Sequence, residues 1–311
     1  MKLLIQIPCY NEAETLPLAL ADLPRSLPGI DAIEVLVIDD GSQDGTAEVA
    51  RRLGVDHVVG FSKNQGLANA FMLGIRSCLE RGADIIVNTD ADNQYVGQDI
   101  AKIVEPVLAR RADLVIGTRP IQQIDHFSPL KKLLQRLGSR VVAMASGTPV
   151  EDAPSGFRAY SRAAAASLNV FSGYTYTLET IVQAGQKNLG IVCVPVRVNP
   201  PTRPSRLVRS IASYVFRSVF TLIRILIVYQ PFKFLFAVGA SAFAAGTAIG
   251  LRFLWHFFHD TGEGHVQSLI LAAVLLIIGF QTLALAFVAD VARVNRRLLE
   301  EIQTAQRLGK R

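Results

Sequence analysis

The chain has 311 residues, half of them hydrophobic, and a formal net charge of +6. That length suits one large catalytic domain plus an extension, and the apolar excess sits after about Leu207, so a single soluble domain is excluded as the whole account. A basic chain suits nucleic acid, acidic lipid or phosphorylated ligands; without zinc-finger spacing or a basic run interleaved with aromatics, nucleic acid is set aside in favour of lipid headgroups and phosphates.

Leu3–Ile7 reads as a first strand, because the apolar run after Met1-Lys2 is too short for the core of a signal peptide. Ala13–Leu23 reads as a helix and Glu34–Asp39 as a strand buried on both faces that ends in acid. Thr46–Leu53 is helical with Asp44 placed to cap it. His57–Phe61 is a short strand, and Leu67–Arg81 a helix closed by Gly82. Asp84–Thr89 is a buried strand, Gln98–Arg110 a helix and Leu114–Gly117 a strand. This alternation predicts an α/β fold, a mostly parallel sheet with helices on both faces. The three cysteines, Cys9, Cys78 and Cys193, are far apart and odd in number, which fits a reduced compartment without disulfides.

Ligands of such sheets bind beyond the carboxyl ends of the strands. Those ends carry Pro8-Cys9-Tyr10-Asn11-Glu12, Asp39-Asp40-Gly41-Ser42, Asp90-Ala91-Asp92 and Gly117-Thr118-Arg119. No glycine fingerprint of a dinucleotide fold or P-loop is present. Asp90-Ala91-Asp92-Asn93-Gln94 is the sharpest of these features: two carboxylates leaving a turn suit one divalent cation, Mg2+ or Mn2+, whose remaining ligands a diphosphate would supply. The same residues equally make an acidic turn before a helix. Lys63 suits a phosphate and a solvated surface equally well.

In this order and spacing, Pro8–Glu12, Asp39–Thr46, Lys63-Asn64-Gln65-Gly66 and Asp90–Gln94 closely resemble glycosyltransferase family 2, with its GT-A (Rossmann-like) fold. Gly117-Thr118-Arg119 and Asp152-Ala153-Pro154-Ser155-Gly156-Phe157-Arg158 resemble its polyprenyl- and dolichol-phosphate hexosyltransferase branch. The resemblance covers roughly the first 210 residues. It implies that Pro8, Tyr10, Asn11, Glu12, Asp40, Lys63, Gly66, Asp90, Ala91 and Arg203 bind the nucleotide-sugar, and that Asp90, Asp92 and Gln94 hold the metal. It makes Asp152 the candidate base, with Asp92 and Arg119 as further catalytic candidates. A phosphate monoester is already largely a dianion at neutral pH, with a second pKa of about 6, so a strong base is less needed there. Cations must line the acceptor side: Arg119, Lys131, Arg203 and Arg206 are the candidates, with Arg136 able to substitute, and Ser205 joins them in binding the acceptor phosphate. Relatives tend to have arginine and then serine where this chain has Lys131 and Gln135.

Beyond residue 205, Leu207–Tyr229 carries Arg209, Arg217 and Arg224 on one helical face, as an interfacial helix does. Phe234–Leu251 and Val266–Ala289 run 18 and 24 residues without a charge, long enough to cross a membrane. The expected organisation is a catalytic domain over 1–205, an interfacial region over 206–230, two transmembrane helices within 231–290 (about 232–254 and 266–289) and a basic tail over 291–311. Arginines after Asp290, and no lysine or arginine in the connection Trp255–His265, place catalytic domain and tail in the cytoplasm, at the inner face of a cell membrane. The expected partners are a nucleotide-sugar, a polyprenyl phosphate and the membrane; the resemblance allows a downstream flippase, and the small residues Gly239, Ala240, Ala244, Ala245 and Gly246 allow close helix packing within the chain or in a homo-oligomer. The rival readings are a processive polysaccharide synthase, whose Q-x-x-R-W signature is missing, and a non-catalytic nucleotide-sugar-binding component.

Overall fold

The computed structural model describes residues 1–120, 139–140, 142–144, 146–170, 176–200, 220, 227, 231–259 and 266–309. They form two compact units, 1–219 with 300–311, and 220–299. The expectations for Lys131, Arg136, Arg203, Ser205, Arg206 and nearly all of the interfacial helix lie outside the described residues.

The first unit is built on β1 (Lys2–Cys9), α1 (Leu16–Ala21), β2 (Ala32–Asp39), α2 (Thr46–Arg52), β3 (His57–Gly60), α3 (Leu67–Glu80), β4 (Ile85–Asn88), α4 (Ile100–Leu108), β5 (Leu114–Thr118), β6 (Arg158–Ser161), α5 (Arg162–Ser167), α6 (Thr177–Gln186) and β7 (Ile191–Pro195). The seven strands lie in the order β3-β2-β1-β4-β6-β5-β7. All pairings are parallel except those of β6, which runs antiparallel between β4 and β5. This is the mostly parallel sheet the sequence predicts, with β6 and β7 added. The apolar runs of β1, β4 and β5 are buried throughout, apart from the first residue of β1. Leu3, Ile5, Ile7, Val37, Ile85, Val87 and Val115 form the core with Ile100, Ile103 and Val104 of α4.

Helix α1 is shorter than its apolar pattern, because Glu12 accepts backbone hydrogen bonds from Thr15 and Leu16 and so closes a turn over the first of those residues. Asp44 does bind the Thr46 N–H at 3.1 Å, although Gly45, at φ +83°, occupies the position before the helix.

Register carries function here. Cys9 lies opposite Asp39, Gln6 opposite Asn88, and Asn88 opposite Arg158. The parallel strands therefore end along one rim. Because β6 is antiparallel, its first residue sits on that rim too, which delivers the Asp152–Phe157 segment there.

The second unit holds α7 (Pro231–Phe258) and most of α8 (Val266–Gly309), both long and apolar enough to cross a membrane. Exposed side chains along them include Phe236, Leu254, Leu271, Ile277 and Phe280, an apolar surface of the kind a bilayer can cover. Gly279 packs against the Phe243 backbone, where a Cβ would come within 2.7 Å, and Gly239 and Gly246 meet α8 as closely as 3.0 Å. Small residues thus bring the two backbones together, whereas Ala244 and Ala245 stay exposed.

Charge after Asp290 marks where the apolar span stops, not where the helix stops: α8 continues to Gly309. Within the first unit, its last turns pack beside α5. Buried Glu300 pairs with Lys187 at 3.2 Å, and Arg307 donates to the carbonyls of Ala166 and Leu168 at 3.1 and 2.7 Å and to Asn169 Oδ1 at 2.8 Å. These contacts satisfy carbonyls that the end of α5 leaves open.

Candidate active site

The loop after β1 is stitched to the loop after β2. Asn11, at φ +55°, donates its N–H to Ser42 Oγ at 2.9 Å and accepts the Gln43 N–H at 2.9 Å. The Glu12 N–H donates to Thr46 Oγ1 at 2.9 Å, and its carboxylate accepts the Thr15 hydroxyl at 2.6 Å. Between these loops Pro8 is buried, while Tyr10 is 43% exposed and presents a ring face open to a planar ligand.

Asp40 is buried, and both its oxygens are engaged. Oδ1 accepts the Gln65 N–H at 2.7 Å; Oδ2 accepts the Gly66 N–H at 2.9 Å and Asn64 Nδ2 at 3.0 Å. Burial raises its pKa, against the pull of those N–H groups. Asp40 therefore fixes the Lys63–Gly66 turn. Gly41, at φ +72°, lets that turn approach: a Cβ would stand 2.5 Å from the Lys63 carbonyl carbon. Lys63 itself is exposed.

Beyond β4, Ala91 is buried, and Asp92 accepts the Gln94 N–H at 3.1 Å across Asn93, which sits at φ +55°. Asn199 braces this turn from behind, donating its N–H to the Gln94 carbonyl at 2.8 Å and Nδ2 to the Asn93 carbonyl at 3.0 Å. Arg197 is held in turn by Asp99, whose carboxyl the guanidinium pulls down to about 2 against its burial.

The carboxyl of Asp90 is pushed up to about 7, by burial first and then by the charge of Asp92, against Arg119. Among the described residues no third His, Cys, Asp or Glu joins this pair as a metal cluster. Two carboxylates and the Gln94 amide, two positions on, are a donor set of oxygens, the kind Mg2+ and Mn2+ prefer. Enclosed like charges are what a dication relieves, so the residues present fit the metal.

Arg119 and Asp152 form a bidentate pair, from Nε to Oδ2 at 2.7 Å and from Nη2 to Oδ1 at 2.9 Å, and the Arg119 N–H adds 3.3 Å to Oδ2. Side-chain exposure is 11% for Arg119 and 1% for Asp152. Against burial, its surroundings, first Tyr95 and then Asp152 and Asp90, raise the Arg119 pKa. Of the acceptor-side candidates, Arg119 is the one within the described residues.

Four contributors went unassigned in the sequence. Tyr95 accepts the Gly156 N–H at 3.2 Å and stacks on Phe157 at 4.9 Å between ring centroids. Asn88 donates to the Gly156 carbonyl at 2.9 Å and to Tyr176 Oη at 2.8 Å. Arg158 lies fully buried beneath the same loop. The one signal for Asn88 was a polar residue closing the otherwise apolar run Ile85–Val87.

The family model for glycosyl transferase family 2 matches residues 4–168. The chain is 32% identical over 206 residues to an undecaprenyl-phosphate mannosyltransferase of Micrococcus luteus, covering 63% of this chain and 83% of that one. It is 28% identical over 204 residues to a polyprenol monophosphomannose synthase of Mycolicibacterium smegmatis, covering 62% and 76%. A UDP-N-acetylglucosamine–dolichyl-phosphate N-acetylglucosaminyltransferase of Methanococcus voltae is 29% identical over 216 residues, covering 61% and 83%. In fold, the chain resembles glucosyl-3-phosphoglycerate synthase from Mycobacterium tuberculosis, solved with Mn2+, UDP and phosphoglyceric acid, at a TM-score of 0.55 and 19% identity, over 71% of this chain and 78% of that one.

Proposed function

The chain belongs to glycosyl transferase family 2 and is a glycosyltransferase, and from that premise we propose that it moves one hexose from a nucleotide-sugar to a polyprenyl phosphate at the cytoplasmic face of a membrane. The observation that carries this reading is the meeting, on one rim, of an exposed aromatic, an acid pair and a buried arginine. Relatives named for polyprenyl and dolichyl phosphate acceptors, and two helices long enough to span a bilayer, support the lipid half.

In this mechanism Tyr10 stacks on the base, and the Asn11–Glu12 and Lys63–Gly66 turns enclose the nucleoside. Asp90, Asp92 and Gln94 would hold Mg2+ or Mn2+, which would supply charge neutralisation for the departing diphosphate. The acceptor phosphate oxygen attacks the anomeric carbon as the bond to the diphosphate breaks, and this single displacement inverts the centre. Arg119, held by Asp152, offsets the charge of two phosphates brought together. Arg203, Lys131, Arg136 and Arg206 complete the basic lining, and the Ser205 hydroxyl adds a hydrogen-bond donor to the acceptor phosphate. A flippase and a second copy of the chain are the further partners this reading allows.

The assay is a panel of labelled UDP- and GDP-sugars with polyprenyl phosphate, with and without chelator. The expected result is one glycolipid, lost on chelation. A ladder of products points instead to a processive synthase, and binding without turnover to a non-catalytic component.

Metal binding carries a pH signature. Below about 7 the Asp90 carboxyl keeps its proton, which a cation must displace. Apparent Mn2+ affinity is expected to rise by up to about tenfold per pH unit towards 7 and then level off. The folded-state value lies above the ordinary one of about 3.9, so the metal-free protein loses stability as pH rises from about 4 to about 7. Calorimetric titration and thermal melts across that range measure both; a flat profile contradicts the assignment.

A further inference from the structure

Arg158 carries a full positive charge at zero exposure, and among the described residues no carboxylate pairs with it. Every nitrogen of its fork donates to a neutral oxygen. Nε reaches the Ser155 carbonyl at 2.8 Å, Nη2 the Ala153 carbonyl at 2.7 Å, and Nη1 both the Thr177 carbonyl at 2.8 Å and Thr180 Oγ1 at 2.6 Å. Asp90 acts on it only at a distance, and burying an ion whose direct partners are all neutral is costly. A chain that needed only to join β6 to α6 has cheaper apolar solutions.

What the fork grips is informative. Two of its four acceptors are backbone carbonyls of the short Asp152–Gly156 loop, and the other two belong to the first turn of α6. At one end of that loop is Asp152, whose carboxylate holds Arg119. At the other is Gly156, which lies directly against Asp90: a Cβ there would come within 3.0 Å of both Asp90 oxygens and of Tyr176 Oη. The loop is thus the backing of both charged parts of the site. Arg158 ties it to a helix, and Ser155 Oγ ties it to the Gly117 carbonyl at 2.6 Å.

We propose that Arg158 is a positioning residue for sugar transfer: by clamping the Ala153 and Ser155 carbonyls to the start of α6, it sets the Asp152–Gly156 loop that aims Arg119 and backs Asp90. The proposal rests on the sugar-transfer reading above. Lysine does not replace it, because a point ammonium cannot donate in three directions from one plane.

The test uses the full-length chain with Arg158→Lys and Arg158→Gln. Amide hydrogen exchange is read over residues 152–157, with the β1 amides as the control for intact folding. Loop exchange is expected to speed up by about tenfold or more while β1 is unchanged. Turnover is expected to fall by roughly 100-fold with the KM for nucleotide-sugar within about threefold. In a cycle with Asp152→Asn, the double variant is expected to be no slower than the slower single variant, since both lose the same placement of Arg119. A merely structural residue gives losses that multiply. Multiplying losses, or unchanged loop exchange in a folded variant, overturn the proposal. If neither arginine variant folds, Thr180→Val, which removes one acceptor outside the loop, is read instead: faster loop exchange supports the clamp, and wild-type exchange with wild-type turnover overturns it. If the wild-type chain transfers no sugar to polyprenyl phosphate, the functional reading fails, and the exchange data alone decide whether Arg158 holds the loop.

Discussion

Alanine at Asp92 abolishes sugar transfer, and excess Mn2+ or Mg2+ does not restore it. The expectation follows from how few protein ligands the site has. Asp90 and Asp92 are the only carboxylates in the candidate metal set, and Gln94 contributes a neutral amide. Removing Asp92 takes away half of the charge that holds the cation. It also takes away the acceptor for the Gln94 N–H, the bond that shapes the turn. Charge stabilisation of a leaving diphosphate is worth several kcal/mol, or about 1,000-fold or more in rate. Added metal corrects weak binding but not a misplaced cation, so saturation curves are expected to plateau far below wild type. Asp92→Ala also relieves Asp90 of its nearest like charge, so the Asp90 pKa moves back down. Residual metal binding then persists to lower pH even as transfer is lost. Full activity of Asp92→Ala in metal-replete proteoliposomes removes the acid pair from the mechanism.

Much of this site was legible in the sequence, and the reason is physical. Buried parallel strands read as uninterrupted apolar runs, so the polar residue after each run marks the ligand-binding rim. Ile85–Asn88 followed by Asp90 is such a case. The antiparallel β6 was not legible, because Arg158-Ala159-Tyr160-Ser161 is short and opens on a charged residue. Its burial depends on partners in β4 and β5, distant in the chain. Asp40 reads as a ligand-binding acid from its place at a strand end, yet its oxygens are occupied by N–H groups about 25 positions later. Helix α8 shows the converse: the sequence locates the end of the apolar span, but the helix continues because nothing after Asp290 breaks it until Gly309.

Asp152→Asn is expected to slow transfer by roughly 100- to 1,000-fold while leaving the pH dependence of the rate unchanged. A carboxylate beside a reactive centre reads as a base from sequence, and both oxygens of this one are engaged by the Arg119 guanidinium. Its role in the proposed mechanism is to hold a cation in place. The asparagine variant keeps one acceptor but leaves Arg119 with an uncompensated charge in a nearly enclosed position. At saturating metal, where Asp90 protonation no longer limits cation binding, the acid limb of the rate profile belongs to the acceptor phosphate, whose second pKa is about 6. Wild type and Asp152→Asn should therefore rise through the same limb near pH 6, the variant on a lower plateau. A general base makes a different prediction: the variant loses its own limb, and a more basic or pre-ionised acceptor rescues it. Stability separates the roles further. Breaking one side of a buried ion pair costs about 3–5 kcal/mol, so both Asp152→Asn and Asp152→Ala should unfold at lower denaturant than wild type, and Asp152→Ala, which also removes the remaining hydrogen-bond acceptor, at the lowest. Arg119→Met combined with Asp152→Asn should recover part of that loss without recovering activity, because the pair is then neutral on both sides but the charge facing the phosphates is gone.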